Sequence, residues 1–227
     1  ALGLNTTGTA NVAIGHNALD ANTTASFNFA GGKDALGANT TGAENVAIGY
    51  LALTNNTTGT HNVAVGSSDG SSGATLGTND TGSNNTALGM QSLGSNTSAD
   101  DNTAVGYQAL KANTTGTLNV AVGQGALLAN TTGGKNTVVG VVAGDALTTG
   151  GRNTALGYEA LSSDTKGDVS VAIGNGALKT QNFTSNTDAL NVAVGHDAGA
   201  AVTTAIKNTL IGGLAGDALN TGSFNVA

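Results

Sequence analysis

A five-residue element, N-[VT]-A-[VIL]-G with occasional substitutions, begins at Asn11, Asn45, Asn62, Asn85, Asn102, Asn119, Asn136, Asn153, Ser170, Asn191 and Asn208. A degenerate copy, NFAGG, begins at Asn28, and a last one is cut off after Asn225. Successive starts are 17 residues apart except for steps of 23 (62 to 85) and 21 (170 to 191). No feature constrains the fold more than this period. A unit so short encloses no core of its own, so the copies must stack, and a fixed period broken by insertions marks a solenoid. The leading Asn is position 0, and counting runs to position 16.

Within one copy, positions 0 to 4 are rich in β-branched residues and end at Gly, which predicts a short strand. Positions 7 to 10, commonly A-L-x-A, predict a second, weaker strand. The N-T-T-G of positions 11 to 14 supplies residues that tolerate positive φ and closes the coil. The expected fold is all-β: a parallel β-solenoid, or β-roll, of about 13 rungs forming one array over residues 1–227, with turn insertions near 67–72 and 181–184. The chain starts at position 7 of a copy and stops at position 2, so the expectation is a window from a longer fibre.

Composition narrows the function classes. The chain has no cysteine, proline or tryptophan, 9% charged residues and 3% aromatic residues. A disulfide framework and a thiolate metal site are excluded. A net charge of -7, with only seven scattered Lys and Arg, argues against a nucleic-acid partner. No apolar run reaches the roughly 20 residues of a membrane-spanning helix.

Alternation along the strand sends positions 1 and 3 to one side and position 2 to the other. Position 3 is Ile, Val or Leu in the regular copies, from Ile14 and Ile48 through Val122 to Ile211, and is read as the coil interior, met by Leu at position 8 (Leu19, Leu36, Leu53, Leu110, Leu127). Position 2 is nearly always Ala: Ala13, Ala47, Ala64, Ala87, Ala104, Ala121, Ala155, Ala172 and Ala193. A strand apolar on both faces is a strand covered on both faces. The Ala column is therefore expected to contact identical chains around an axis, giving a homotrimer. A solitary solenoid with an exposed Ala stripe is the competing reading.

The recurring Asn of position 0 (Asn11, Asn45, Asn62, Asn85, Asn102, Asn119, Asn136, Asn153, Asn191, Asn208) predicts a structural ladder of amides bonding between rungs. Three copies shift their bulky residue: Gly144, Gly199 and Gly216 occupy position 8, while Leu147, Val202 and Leu219 occupy position 11 and resupply the apolar side chain from the turn. In the degenerate copy Gly31 stands at position 3, and Phe29 at position 1 is expected to fill the space.

Little in the chain points to catalysis. His16, His61 and His196 lie in distant copies, the Asp69 and Asp80 loops do not repeat as a calcium solenoid requires, and no nucleophile, base and orienting group recur together. No enzyme activity, metal or cofactor is expected. Position 5 carries Tyr50, Tyr107 and Tyr158, an intermittent column that could contact a glycan or a neighbouring fibre. N-T-T sequons recur at Asn5, Asn22, Asn39, Asn56, Asn113 and Asn130, and they bear on function only in a eukaryotic host.

The N-V-A-[IV]-G-x-x-A motif resembles the S-V-A-I-G repeats in the heads of YadA-type trimeric autotransporter adhesins. It is also similar to the N-T-A-[VL]-G-Y-x-A-L repeats of bacteriophage tail-fibre-like and bacterial surface proteins. That resemblance implies a trimer of parallel β-rolls with an outward host-binding surface, although the adhesin repeat is shorter, near 14 residues. The resulting expectation is a non-enzymatic extracellular fibre segment, on a cell or virion surface, that attaches to a host glycan or protein. Its partners would be itself, as homotrimer or fibre neighbour, and that surface, with neither nucleic acid nor membrane insertion. A structural filament, matrix or sheath polymer assembling end to end and an ice- or mineral-binding monomer, identified by a flat threonine face, are the alternatives.

Overall fold

In the computed structural model, residues 1–70 and 73–227 are described; Ser71 and Ser72, the end of the first expected insertion, lie outside the described residues. The chain is a parallel β-solenoid that divides into two compact units, Ala1–Thr115 and Gly116–Ala227.

The first unit stacks β1 (Val12–Ile14), β2 (Phe29–Gly31), β3 (Val46–Ile48), β4 (Val63–Val65), β5 (Thr86–Leu88) and β6 (Thr103–Val105) in sequence order. Each pair is parallel and aligns equivalent positions, so Ala47 lies beside Ala64 and Ala87 beside Ala104. The second unit stacks β7 (Val120–Val122), β8 (Thr137–Val139), β9 (Thr154–Leu156), β11 (Val171–Ile173), β13 (Val192–Val194) and β14 (Thr209–Ile211) in the same way. Here β10 (Gly167–Asp168) and β12 (Thr187–Asp188) form a separate two-stranded parallel sheet. The insertions leave the register intact: Val63 pairs with Thr86 across the first, and Val171 with Val192 across the second.

Positions 7 to 10 do not form the expected second strand. Residues at positions 6 and 8 are left-handed, as at Asp34 (φ 58) and Leu36 (φ 49), and the chain between them turns instead of extending. Alternate N–H groups then have different destinations. Ala35 N donates to Gly32 O at 3.3 Å and Asn39 N to Leu36 O at 3.2 Å within the coil, while Leu36 N reaches Ala52 O at 3.1 Å in the next. A left-handed conformation costs a residue with a Cβ about 1–2 kcal/mol, against roughly 1.5–3 kcal/mol for burying a leucine side chain. Burial wins, and the leucines of position 8 are fully enclosed.

The interior is the reverse of the sequence expectation. Ala47, Ala64, Ala87, Ala104, Ala121, Ala155, Ala172 and Ala193 at position 2 are fully buried inside their own coil, and Ala13 in the first coil is half-buried. Position 3 faces outward: Ile48 is 42% exposed, Leu88 46% and Leu156 46%. The physical reason is width. Leu at position 8, turned inward by its left-handed backbone, spans the coil from the opposite wall, and only small side chains fit against it: alanine at position 2, and alanine, Ser92 or Thr75 at position 7. Gly31 likewise lies on the outer side, with Phe29 beside it there and not in the core.

Leu147 and Val202, at position 11, are fully buried where position 8 is Gly144 or Gly199. A Cβ on Gly144 would lie 3.2 Å from Leu147 Cδ1, so the relocated side chain occupies the space that position 8 vacates.

Candidate functional site

The candidate site is the outer face of the sheet. In the first unit positions 1 and 3 bring Val12, Val46, Val63, Ile14, Ile48, Val65, Leu88 and Val105 onto one surface, with Thr86 and Thr103 among them. In the second unit Val120, Val171, Val192, Val122, Val139, Leu156, Ile173, Val194 and Ile211 do the same. No residue at either position carries a charge in any copy. Contiguous exposed apolar surface of this kind marks an interaction site, and a parallel sheet is ordinarily covered on both faces. The doubly apolar strand thus exposes its Val and Ile columns. Apart from the half-buried Ala13 of the first coil, the position 2 alanines, expected at the chain contact, are enclosed and have no surface to offer.

Two exposed columns border that face. Just before each leading residue stands a left-handed position: Phe27, Glu44, His61, Asn84 and Asp101 in the first unit, Leu118, Lys135, Arg152 and Lys207 in the second. Neighbours in this column bond along the stack: Glu44 Oε2 lies 3.2 Å from His61 Nε2, Asn84 Nδ2 donates to Asp101 Oδ1 at 3.1 Å, and the Lys207 ammonium sits 5.2 Å from the Phe224 ring. At the other border, position 5 exposes Tyr50, Tyr107 and Tyr158. Lys33 Nζ lies 5.5 Å from the Tyr50 ring. A hydrogen bond to Glu159, together with that carboxylate's charge, holds the Tyr158 phenol above its ordinary pKa.

The position 0 amides hold the coils in register. Asn45 N donates to Asn28 Oδ1 at 2.9 Å and Asn62 N to Asn45 Oδ1 at 2.9 Å, while Asn45 Nδ2 donates to Gly59 O at 2.9 Å within its own coil. The same bonds recur at Asn136, Asn153 and Asn208. Asn11, Asn85, Asn102, Asn119 and Asn191 belong to this column.

A second ladder escaped the sequence reading. At position 11, Asn39 Nδ2 donates to Asn22 Oδ1 at 3.2 Å, Asn56 to Asn39 at 2.8 Å, Asn79 to Asn56 at 2.8 Å and Asn96 to Asn79 at 2.7 Å. Its signal was present, since Asn recurs at position 11 in every copy from Asn5 to Asn130 before giving way to Leu147, Asp164, Gln181, Val202 and Leu219. The ladder also closes off the sequons: Asn22, Asn39, Asn56, Asn113 and Asn130 are fully buried. Threonines beside it are engaged too, with Thr40 Oγ1 donating to Thr57 O at 3.0 Å and Thr131 Oγ1 to Thr148 O at 3.1 Å.

Where position 0 is Ser170, the missing amide is replaced from position 11. Gln181 Nε2 donates to Ser170 Oγ at 2.9 Å and to Asp164 Oδ2 at 2.6 Å, and Asn191 Nδ2 donates to Gln181 Oε1 at 2.8 Å. The expected insertion near 181–184 therefore begins with a buried structural glutamine. The inserted segment continues outward, where Arg152 Nη2 lies 2.9 Å from Asp188 Oδ1 and Thr149 donates to Asn186 at 2.8 Å.

Among the described residues there is no cluster of three or more His, Cys, Asp or Glu able to hold a metal ion. A cavity of about 250 Å³ beside the first insertion is lined by uncharged residues, including Leu51, Thr54, Ser68 and Thr78. No family model matches the chain, no curated protein matches it, and no solved structure matches it.

Proposed function

We propose that this chain is a non-enzymatic fibre segment that associates laterally with copies of itself through the outer face of its sheet. A homotrimer displayed outside the cell or on a virion would then serve surface attachment. One observation carries the reading: an uncharged, largely Val, Ile and Leu surface runs over the stacked strands of each unit while the alanine side of the same strands is enclosed. Water is a poor neighbour for such a surface, and an identical chain offers a matching one at every rung. The attachment role rests on the repeat resemblance and on the scarcity of groups suited to catalysis.

Light scattering coupled to size exclusion tests the proposal. The expected result is one discrete mass, three times that of the chain, collapsing to the monomer mass in the Val63→Asp and Val65→Asp variants. A wild-type chain that runs as a monomer would sink the reading.

A further inference from the structure

The first insertion forms a recess on the coil wall. Position 6 of that coil is Ser68, whose N–H donates to Tyr50 O at 3.0 Å, and the wall resumes at Thr75, whose carbonyl accepts from Leu53 N at 3.1 Å. The extra residues enter between them. The departing end is tied down, with Gly70 N donating to Ser68 Oγ at 3.0 Å and Gln91 Nε2 to Asp69 Oδ2 at 3.2 Å. The returning end closes on the coil at Ala74, and a Cβ on Gly77 would fall 2.7 Å from Ala74 Cβ, so glycine there is what admits it. Between the insertion and positions 6 to 10 of the preceding coil lies the cavity of about 250 Å³.

The lining selects a kind of ligand. It holds no charged side chain, so an ion would lose water there without gaining a countercharge. Leu51 and Ala74 offer an apolar patch, and the Thr54, Ser68 and Thr78 hydroxyls and the Asn55 amide stand around it. Thr78 Oγ1 is engaged with Gly94 O and Asn96 O, both at 2.9 Å, but the side chains of Thr54 and Asn55 have no hydrogen-bond partner among the described residues. A wholly apolar ligand would strip water from those two groups and return nothing. A sugar ring meets both demands: its C–H faces suit the patch, and its hydroxyls donate and accept, as do the hydroxyl and amide groups facing them. The cavity falls short of the roughly 300 Å³ at which sites for drug-sized ligands begin, so one ring fits and a chain of rings does not. We infer that this recess binds a single uncharged pyranose ring. The wall of positions 6 to 10 lies opposite the apolar sheet face, so the self-association proposed above leaves the recess open. The inference goes beyond that association and does not depend on it.

Saturation-transfer NMR on the full chain, with the methyl glycosides of glucose, galactose, mannose and N-acetylglucosamine as probes, tests the recess. At least one should receive saturation, with a dissociation constant that rises about tenfold in Thr54→Val and likewise in Asn55→Ala, each the loss of one hydrogen bond to the ring. Thr54 is half-buried and Asn55 exposed, so both variants should melt with the parent. Sialic acid, which carries a carboxylate, should receive none. Retention of the protein on beads bearing the binding sugar through its anomeric oxygen supports the recess with the end of a glycan as the source of the ring; binding in solution without retention supports it with a free sugar as the source. No transfer to any of the four glycosides, equal transfer to sialic acid, or an affinity unchanged in both variants would overturn the inference, whatever mass light scattering gives. A monomer that binds the sugar keeps the recess and overturns self-association alone.

Discussion

A Cβ placed on Gly216 would fall 2.8 Å from Leu210 Cδ2, so the bulky residue at position 2 of that coil excludes any side chain at its position 8. Val138 is likewise paired with Gly144 in its own coil. In most other coils the sizes are exchanged, with Ala at position 2 facing Leu at position 8, as in Ala121 and Leu127; where Ala193 faces Gly199, the space is taken by Val202 and by Leu210 and Leu178 of the adjacent coils. The coil has a fixed internal width, and the two walls share it.

Overpacking that width should be costly. Ala121→Leu adds bulk that the fully buried Leu127 leaves no room for, and a loss of about 1–3 kcal/mol is expected in urea denaturation. Ala121→Val with Leu127→Gly should also lose stability, and adding Asn130→Leu should restore part of it by copying the Val138, Gly144 and Leu147 arrangement of the next coil. No recovery in the triple variant would argue against size exchange.

The second asparagine ladder should be as demanding as the first. Asn39→Ala removes the donor to Asn22 Oδ1 and to Gly42 O and takes the acceptor from Asn56 Nδ2, all in buried surroundings. Each polar group left unpaired costs about 1–3 kcal/mol. The exposed Thr41→Ala should stay within about 0.5 kcal/mol of the parent. Equal stabilities of the two variants would remove the ladder from the energetic account.

Gln181→Leu should be worse than Asn39→Ala. It strips a hydrogen bond from the buried Asp164 carboxylate and leaves Asn191 Nδ2 and Ser170 Oγ without their partner. With a charged group involved, a loss above about 3 kcal/mol is expected. Hydrogen exchange should show deprotection around Ser170, Val171 and Asn191 before it appears in distant coils.

Burial pushes the Asp145 carboxyl above its ordinary value of 3.8, and its Oδ1 has no hydrogen-bond partner among the described residues. A native pKa above the unfolded one means the folded state holds the proton more tightly. The contribution to stability is complete below the unfolded value and is lost as pH rises through the native one. Asp145→Asn should therefore melt at a higher temperature than the parent at neutral pH, with the gap closing as pH falls below 3.8. A pH-independent gap would contradict this assignment.

Much of the architecture was legible in the sequence, and the interior was not. The period gave the coil length, the parallel stacking and the places where β4 meets β5 and β11 meets β13 across insertions, because equivalent residues must align for any ladder to form. Leu147 and Val202 could be recognised as resupplied core residues because bulk missing at position 8 reappeared at position 11. The alternation of Val46, Ala47 and Ile48 showed two apolar faces but carried no label for inside and outside.

That label came from the tertiary structure. Larger apolar side chains usually point inward, which favours Ile48, yet the backbone at Leu53 is left-handed (φ 52) and turns that leucine into the coil, leaving room opposite only for Ala47 and its equivalents. By itself the sequence determined a stacked parallel coil with two apolar strand faces, since period and alternation depend only on residue spacing. Which face is core and which is surface depended on the width between two walls, a distance created only when the coil closes.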